Sequence, residues 1–220
     1  MTDLRTPRMS LRERNKQSAR ETIVRVAADL FSARGYGTTT LAEIADAAGI
    51  APSTLFNYYP SKSDIVFSLY SDVIESAECR IVGRPEGERA TPAVIAWLKQ
   101  DLPIVEARYV DSLRRMPRIV SSDPGLCAEN RLRRALLEDV FAAAYARDLG
   151  EPAEHLRPHV MATIVMRGIL DVWEVWDLRH TETEPETETS LGELSELKAA
   201  YLERVLEAGW AALDTLATVE

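Results

Sequence analysis

Apolar residues in this chain recur at the 3.6-residue spacing of a helix almost from end to end, and strand-like alternation is sustained nowhere. That periodicity predicts an all-α chain. In the first long segment Ile23, Val26, Ala27, Leu30 and Phe31 share one stripe, and Gly35 supplies the stop. Leu41, Ile44, Ala45 and Ala48 share the next stripe, which Gly49 ends. Pro52 and Ser53 then open a short helix holding Leu55 and Tyr59 at i, i+4, and Pro60 closes it. Ser61 is placed to cap a helix with Asp64 at the capping-box position, and that helix is expected to reach about Ile81.

Beyond it, GRPEGERATP is rich in breakers and reads as a loop. A helix is predicted from about Ala93 to Val110, kinked or broken at Pro103, which lacks an amide donor. RRMPRIVSS reads as irregular. Asp123 and Pro124 look like the cap and first-turn proline of a helix that ends near Leu149 and Gly150. Two more helices are expected, at about Ala153–Arg179 and Leu191–Leu216. Between them TETEPETETS is acidic, low in complexity and read as a solvated loop. The sum is nine helices, no strands and no internal repeat.

Composition narrows the class. The 220 residues are 46% hydrophobic, enough for a packed core, and no apolar run approaches bilayer length. The basic start, MTDLRTPRMSLRERNKQ, lacks the apolar stretch of a secretory signal. Cys79 and Cys127 make neither a CxxC nor a zinc spacing, so two thiols in a reducing cytoplasm are expected. Net charge is −9, but residues 1–62 hold nine Lys/Arg against six Asp/Glu, leaving +3 there and −12 in the rest. A cationic head on an acidic body suits a DNA reader whose second half does other work.

The motif that carries chemistry lies in that head. TTTLAEIADAAGIAPSTLFNYYPSK sets two short helices around a tight glycine turn, the helix-turn-helix arrangement. One helix crosses the DNA backbone while the second enters the major groove, and a short turn holds the angle between them. Thr39 and Thr40 stand at a helix N-terminus, where free amides meet phosphate oxygens.

From Phe31 to Lys62 the pattern LF…GY…TT…IA…AG…TL…Y…SK resembles the DNA-binding domain of TetR-family regulators, and the likeness covers residues 15 to 66. The resemblance implies an all-helical homodimer whose C-terminal domain binds a small effector that alters operator affinity. It implies phosphate contacts at Thr40 and Lys62, with Thr54 at the start of the recognition helix and Tyr58 touching backbone near its end. Pro52, Ser53 and Asn57 fall where base edges are approached, and the Asn57 amide can pair bidentately with adenine. The sequence departs from the family at four places: Ala51 replaces a serine, Ser53 a glycine, Phe56 a tyrosine and Tyr59 a phenylalanine. Phe56 thereby loses a phosphate-reaching hydroxyl. The divisions expected are a flexible basic arm at 1–14, a DNA-binding domain at 15–62 and an effector-binding and dimerisation domain at 63–220.

Residues 122–173 are similar to a subgroup of that family, which includes mycofactocin-system regulators and binds acyl-CoA-like ligands. A small hydrophobic or fatty acyl-CoA-like effector is therefore expected, lined by Trp97, Arg115, Met116, Phe141, Tyr145, Met166 and Trp173. Arg108, Arg114, Arg115 and Arg118 are the cations that a phosphate-bearing ligand would meet at a cavity mouth. For the dimer, Ile164, Gly168, Val172, Val205, Gly209 and Ala212 are expected on a four-helix interface, with the two glycines allowing close crossing. His155 and His159 stand at i, i+4 with no third ligand, His180 stands alone, and no catalytic triad or phosphate loop occurs, so no metal, cofactor or enzyme activity is expected.

The expected function is a ligand-responsive repressor in the cytoplasm that binds a near-palindromic operator as a homodimer, without a membrane partner. An activator of the same fold, or one controlled by a partner protein, fits the same residues. A helical enzyme or adaptor with a vestigial head is the rival of another class, and sequence-selective DNA binding separates it.

Overall fold

The computed structural model describes residues 10–110, 112, 115–179 and 188–216, and their side chains except 173–179, 188–191 and 211–216. Helix α1 (Leu11–Arg34) opens on a reciprocal cap: Ser10 Oγ accepts from the Glu13 amide at 3.2 Å, and the Glu13 carboxylate accepts from the Ser10 amide at 2.7 Å. Residues 11–14, expected in a flexible arm, are therefore helical. Helix α1 stops at Gly35, whose φ of 90° suits a residue without a Cβ. Helices α2 (Leu41–Ala47) and α3 (Pro52–Tyr58) follow, with Gly49 at φ 67° in the turn between them.

The next rod is α4 (Lys62–Val66) and α5 (Ser68–Ala77), parted at Phe67 and prolonged by a π turn at Glu78–Val82. Ser61 and Asp64 form the expected capping box. Helix α6 (Ala90–Ala96) runs through a second π turn, Trp97–Asp101, into α7 (Leu102–Ala107). Pro103 has no amide to give, and the widened turn before it sends the Leu102 amide back to the Trp97 carbonyl. The stretch expected to be irregular contains a short helix, α8 (Met116–Ser121), because Pro117 sits in a first turn that needs no amide from it. Helix α9 (Pro124–Leu149) is capped by Asp123, which accepts from the Leu126 amide at 3.0 Å, and ends at Gly150 with φ 66°. Helices α10 (Leu156–Arg179) and α11 (Glu188–Leu216) are the last of the described residues. The nine expected helices are present, and the break at Phe67 and helix α8 account for the two further segments.

Two apolar clusters hold these rods together. One joins α1 to α4 with Tyr109, Ile119, Leu126, Val172 and Leu194. The other fills the body, where Trp97 meets Phe141 edge-on with ring centroids 5.9 Å apart. Helix α10 packs most extensively on α9 and α11. Among the described residues no helix is long and apolar enough to cross a membrane, and no group of three or more His, Cys, Asp or Glu could hold a metal ion.

The glycines expected at a dimer interface have a different use. A Cβ on Gly168 would lie 2.5 Å from Cδ2 of Leu202, and one on Gly209 3.1 Å from Cδ1 of Ile164. Both therefore serve the crossing of α10 and α11 within one chain. Val172 is buried in the same chain, Ile164 and Val205 are half-buried, and the side chain of Ala212 lies outside the described residues. Residues 1–9, Arg114, His180 and most of the acidic run also lie outside them, as do the side chains of Trp173 and Trp176. Because Leu202 is fully buried and cannot swing away, Gly168→Val is expected to destabilise the chain by about 1–3 kcal/mol. Urea unfolding would show this as a lower midpoint at unchanged slope.

Candidate nucleic-acid interface and the cavity behind it

Helix α3 meets the protein through one face. Leu55 and Tyr59 are buried beneath it, Thr54 and Tyr58 are half-buried at its edges, and Pro52, Ser53, Phe56 and Asn57 are exposed. The exposed four fall at i, i+1, i+4 and i+5, so they form one outward stripe on a helix only seven residues long. Phe56 is 59% exposed, which is unusual for a ring of that size with core available beside it. Ala51 occupies the N-cap and makes no side-chain hydrogen bond, as its departure from serine implies.

Thr40 is exposed at the N-cap of α2, where its hydroxyl accepts from the Glu43 amide at 3.2 Å and donates to the Glu43 carboxylate at 2.9 Å. The Thr40 amide, which donates to the Glu43 carboxylate at 2.8 Å, and then the Thr40 hydroxyl hold Glu43 below the usual carboxylate range. Thr39 was expected at the DNA surface with Thr40, but it is 1% exposed and donates inward to the Gly35 carbonyl at 2.9 Å. Its β-branched body fills the bend after α1, so it shapes the surface from beneath.

Lys62 is also turned inward. Its ammonium donates to the carbonyls of Tyr36 and Thr39, both at 2.7 Å, and sits 4.5 Å from the centre of the Tyr36 ring. Two of its three protons tie the start of α4 to the bend between α1 and α2. The family resemblance implied a phosphate contact here; the geometry makes Lys62 first a strut.

Behind α3 lies a hydrogen-bonded bridge that the sequence did not disclose. Asp72, buried on α5, accepts from Arg20 of α1 at 3.0 Å and from the Tyr109 hydroxyl at 2.8 Å. Arg108 lies 3.6 Å from the same carboxylate. Arg20 also donates to the Tyr59 hydroxyl at 3.3 Å and lies over that ring. Burial pushes the Tyr109 phenol far up, and the neighbouring Asp72 carboxylate pushes it further, so Tyr109 remains a protonated donor. Tyr59 closes α3 and Tyr109 follows α7, so the bridge runs from the recognition helix into the body.

Tyr109 also lines a cavity of about 530 Å³, set where the two apolar clusters meet. Val24 of α1 and Val66 of α4 contribute to its wall beside Trp97, Met116 and Met166. Three of the expected ligand contacts are thus placed. Phe141 and Tyr145 are buried in the core instead, Phe141 against Trp97 and Tyr145 against Trp210. Arg115 pairs with Asp29 of α1, and neither it, Arg108 nor Arg118 lines the cavity. Among the described residues the arginines that do are Arg131 and Arg134, about one turn apart on α9. Their long segment of mixed apolar and charged residues carried no signal separating pocket from surface.

Described residues that are helical apart from turns, with a capped two-helix head, an outward stripe on the second helix and a cavity bridged to it, define a helix-turn-helix DNA-binding protein with a separate internal cavity. Residues 23–69 match the family described as bacterial regulatory proteins, tetR family. The chain is 30% identical over 175 residues to the HTH-type transcriptional regulator TcmR of Streptomyces glaucescens, covering 77% of each chain. It is 29% identical over 158 residues to MftR of Mycobacterium tuberculosis, described as a candidate mycofactocin biosynthesis regulator, covering 69% of this chain and 76% of that one. A transcriptional regulator of Cytophaga hutchinsonii superposes with a TM-score of 0.55 at 18% identity, covering 86% and 96%. The chain belongs to the TetR family of DNA-binding transcriptional regulators.

The bare N-cap of α3 makes a direct prediction. Ala51→Ser should supply the missing acceptor and stabilise the protein by about 1 kcal/mol, raising Tm by about 2–4 °C. Differential scanning calorimetry checks this, and an unchanged Tm would mean that the cap geometry of this turn cannot use a hydroxyl.

Proposed function

We propose that this regulator is a homodimeric repressor that releases a near-palindromic operator when a small hydrophobic effector enters the cavity. The observation that carries this reading is the bridge Tyr109–Asp72–Arg20–Tyr59, because it joins a residue of the cavity wall to the end of the recognition helix. The divisions that follow are a basic arm, a DNA-binding head from about residue 15 to 62 and a body from 63 onward, working in the cytoplasm. The head reads DNA with Pro52, Ser53, Phe56 and Asn57, while Thr40, Thr54, Tyr58 and the remaining proton of Lys62 face the phosphates. Phe56 suits the methyl group of thymine, since an exposed ring offers apolar contact and no hydrogen bond. Two heads reach successive major grooves about 34–36 Å apart, or a multiple of that. An effector that displaces Tyr109 changes how Asp72 holds Arg20, and the heads cease to match that spacing.

For the dimer, Leu197 and Tyr201 are 37% and 42% exposed at i, i+4 on α11, with Val205 half-buried one turn further. This stripe supports a four-helix contact with the α10 and α11 of a second copy, in place of the glycines. An acyl-CoA-like effector is the second form of the ligand reading, and Arg131 and Arg134 at the cavity support it.

Selection from a random duplex library tests the whole reading: enrichment of a two-fold symmetric site is expected, and none would refute it. Asn57→Ala should relax base preference at one position of each half-site. Lys62→Ala should weaken all sequences alike, lower the salt slope by about one and also lower Tm, because it removes a strut as well as a charge. Tyr109→Phe deletes one buried hydroxyl and nothing at the DNA surface. It should change operator affinity about fivefold or more, the scale of a ~1 kcal/mol coupling. Fluorescence anisotropy with the selected site reads this, and unchanged affinity would break the bridge as the route.

A further inference from the structure

Glu106 of α7 and Lys198 of α11 both belong to the cavity wall, yet they are only 6% and 1% exposed. Lys198 Nζ lies 2.8 Å from Oε1 of Glu106. The other carboxylate oxygen, Oε2, is buried and accepts no hydrogen bond. The wall around the pair is largely apolar, with Leu102, Met166 and Leu170 among its members. Taking two opposite charges out of water is costly, and a buried acceptor without a donor adds to that cost. Two apolar residues of the same volume would hold α7 against α11 at less expense. A pair placed at a cavity with one oxygen unmet makes sense through what enters the cavity.

We infer that the effector brings a neutral hydroxyl or N–H donor on a mainly apolar body to this wall, and that Glu106 accepts its hydrogen bond. The inference rests on the reading of this cavity as the effector site. Charge decides the class. Arg131 and Arg134 share the wall with Lys198, so an ammonium enters beside cations, and a carboxylate that reaches Glu106 meets its charge while Lys198 is already engaged with it. A neutral donor completes Glu106 without adding charge. A small turn of the carboxylate about its last bond, a soft two-fold torsion, is enough to present either oxygen to the cavity. Discrimination then comes from the protein side: an analogue with methyl in place of hydroxyl fills the same volume but leaves the carboxylate oxygen unmet.

Calorimetric titration of the full chain with 1-naphthol, 1-methylnaphthalene and 1-naphthoate tests this. The naphthol is expected to bind about tenfold or more tightly than either of the others, the scale of one hydrogen bond to a charged group. Equal binding of naphthol and methylnaphthalene overturns the inference and leaves the cavity reading standing. Tighter binding of naphthoate overturns it in favour of an anion site. Binding of none, with operator recognition intact, removes the cavity reading and the inference together. The double variant Glu106→Leu, Lys198→Met removes the pair as a unit and should hold methylnaphthalene within about twofold while losing the preference for naphthol. A preference that survives in it overturns the role of Glu106. The three wild-type titrations decide the matter even if that variant does not fold.

Discussion

One buried carboxylate joins the parts of this protein. Asp72 receives a guanidinium from α1 and a phenol from the segment after α7, and both ends of that bridge, Tyr59 and Tyr109, sit in one apolar cluster. A buried charge is tolerated only with its partners in place, so the head cannot shift without a cost at Asp72. Arg20 lies close enough to stack on Tyr59, which ends α3. The angle of the recognition helix is thus held from behind by electrostatics, whereas its outward stripe is left free of internal duties. This separation lets the reading surface vary while the support stays the same.

Much of the fold was written locally. Ser61 and Asp64, Asp123 and Gly150, and Gly35 and Gly49 all act where their chemistry predicts, because caps and left-handed turns need only neighbours in sequence. The fold class and the family followed from those signals and from the spacing of the head. Long-range facts were harder. Lys62 and Thr39 have the residue types of phosphate contacts, and only the folded bend shows that their polar ends return to backbone carbonyls. Gly168 and Gly209 announced a close crossing, but composition does not say whether a helix crosses its own chain or another. The partnership of Asp72 with Arg20 spans 52 residues, and no periodicity reports it.

The body is acidic and the head basic, and the wall of the cavity between them pairs Glu106 with Lys198 and also carries Arg131 and Arg134. An uncharged occupant alters packing at Tyr109 without changing the long-range field that draws the head to phosphates. Under the proposed effector reading, regulation then acts on geometry, and the salt dependence of binding stays a property of the head.

The π turn at Trp97–Asp101 has an evolutionary consequence. A turn of this kind holds one residue more than an α-helical turn, and each residue rotates the following helix by about 100°. Losing one residue there would restore regular phase and swing the whole of α7 around its axis. Glu106 and Tyr109, which follow within that helix and its end, would leave the cavity together. Substitutions in this segment can drift singly, but a one-codon deletion would strip the cavity wall and the Asp72 bridge in a single event. Lineages that keep both should therefore keep the length of this stretch more strictly than its letters.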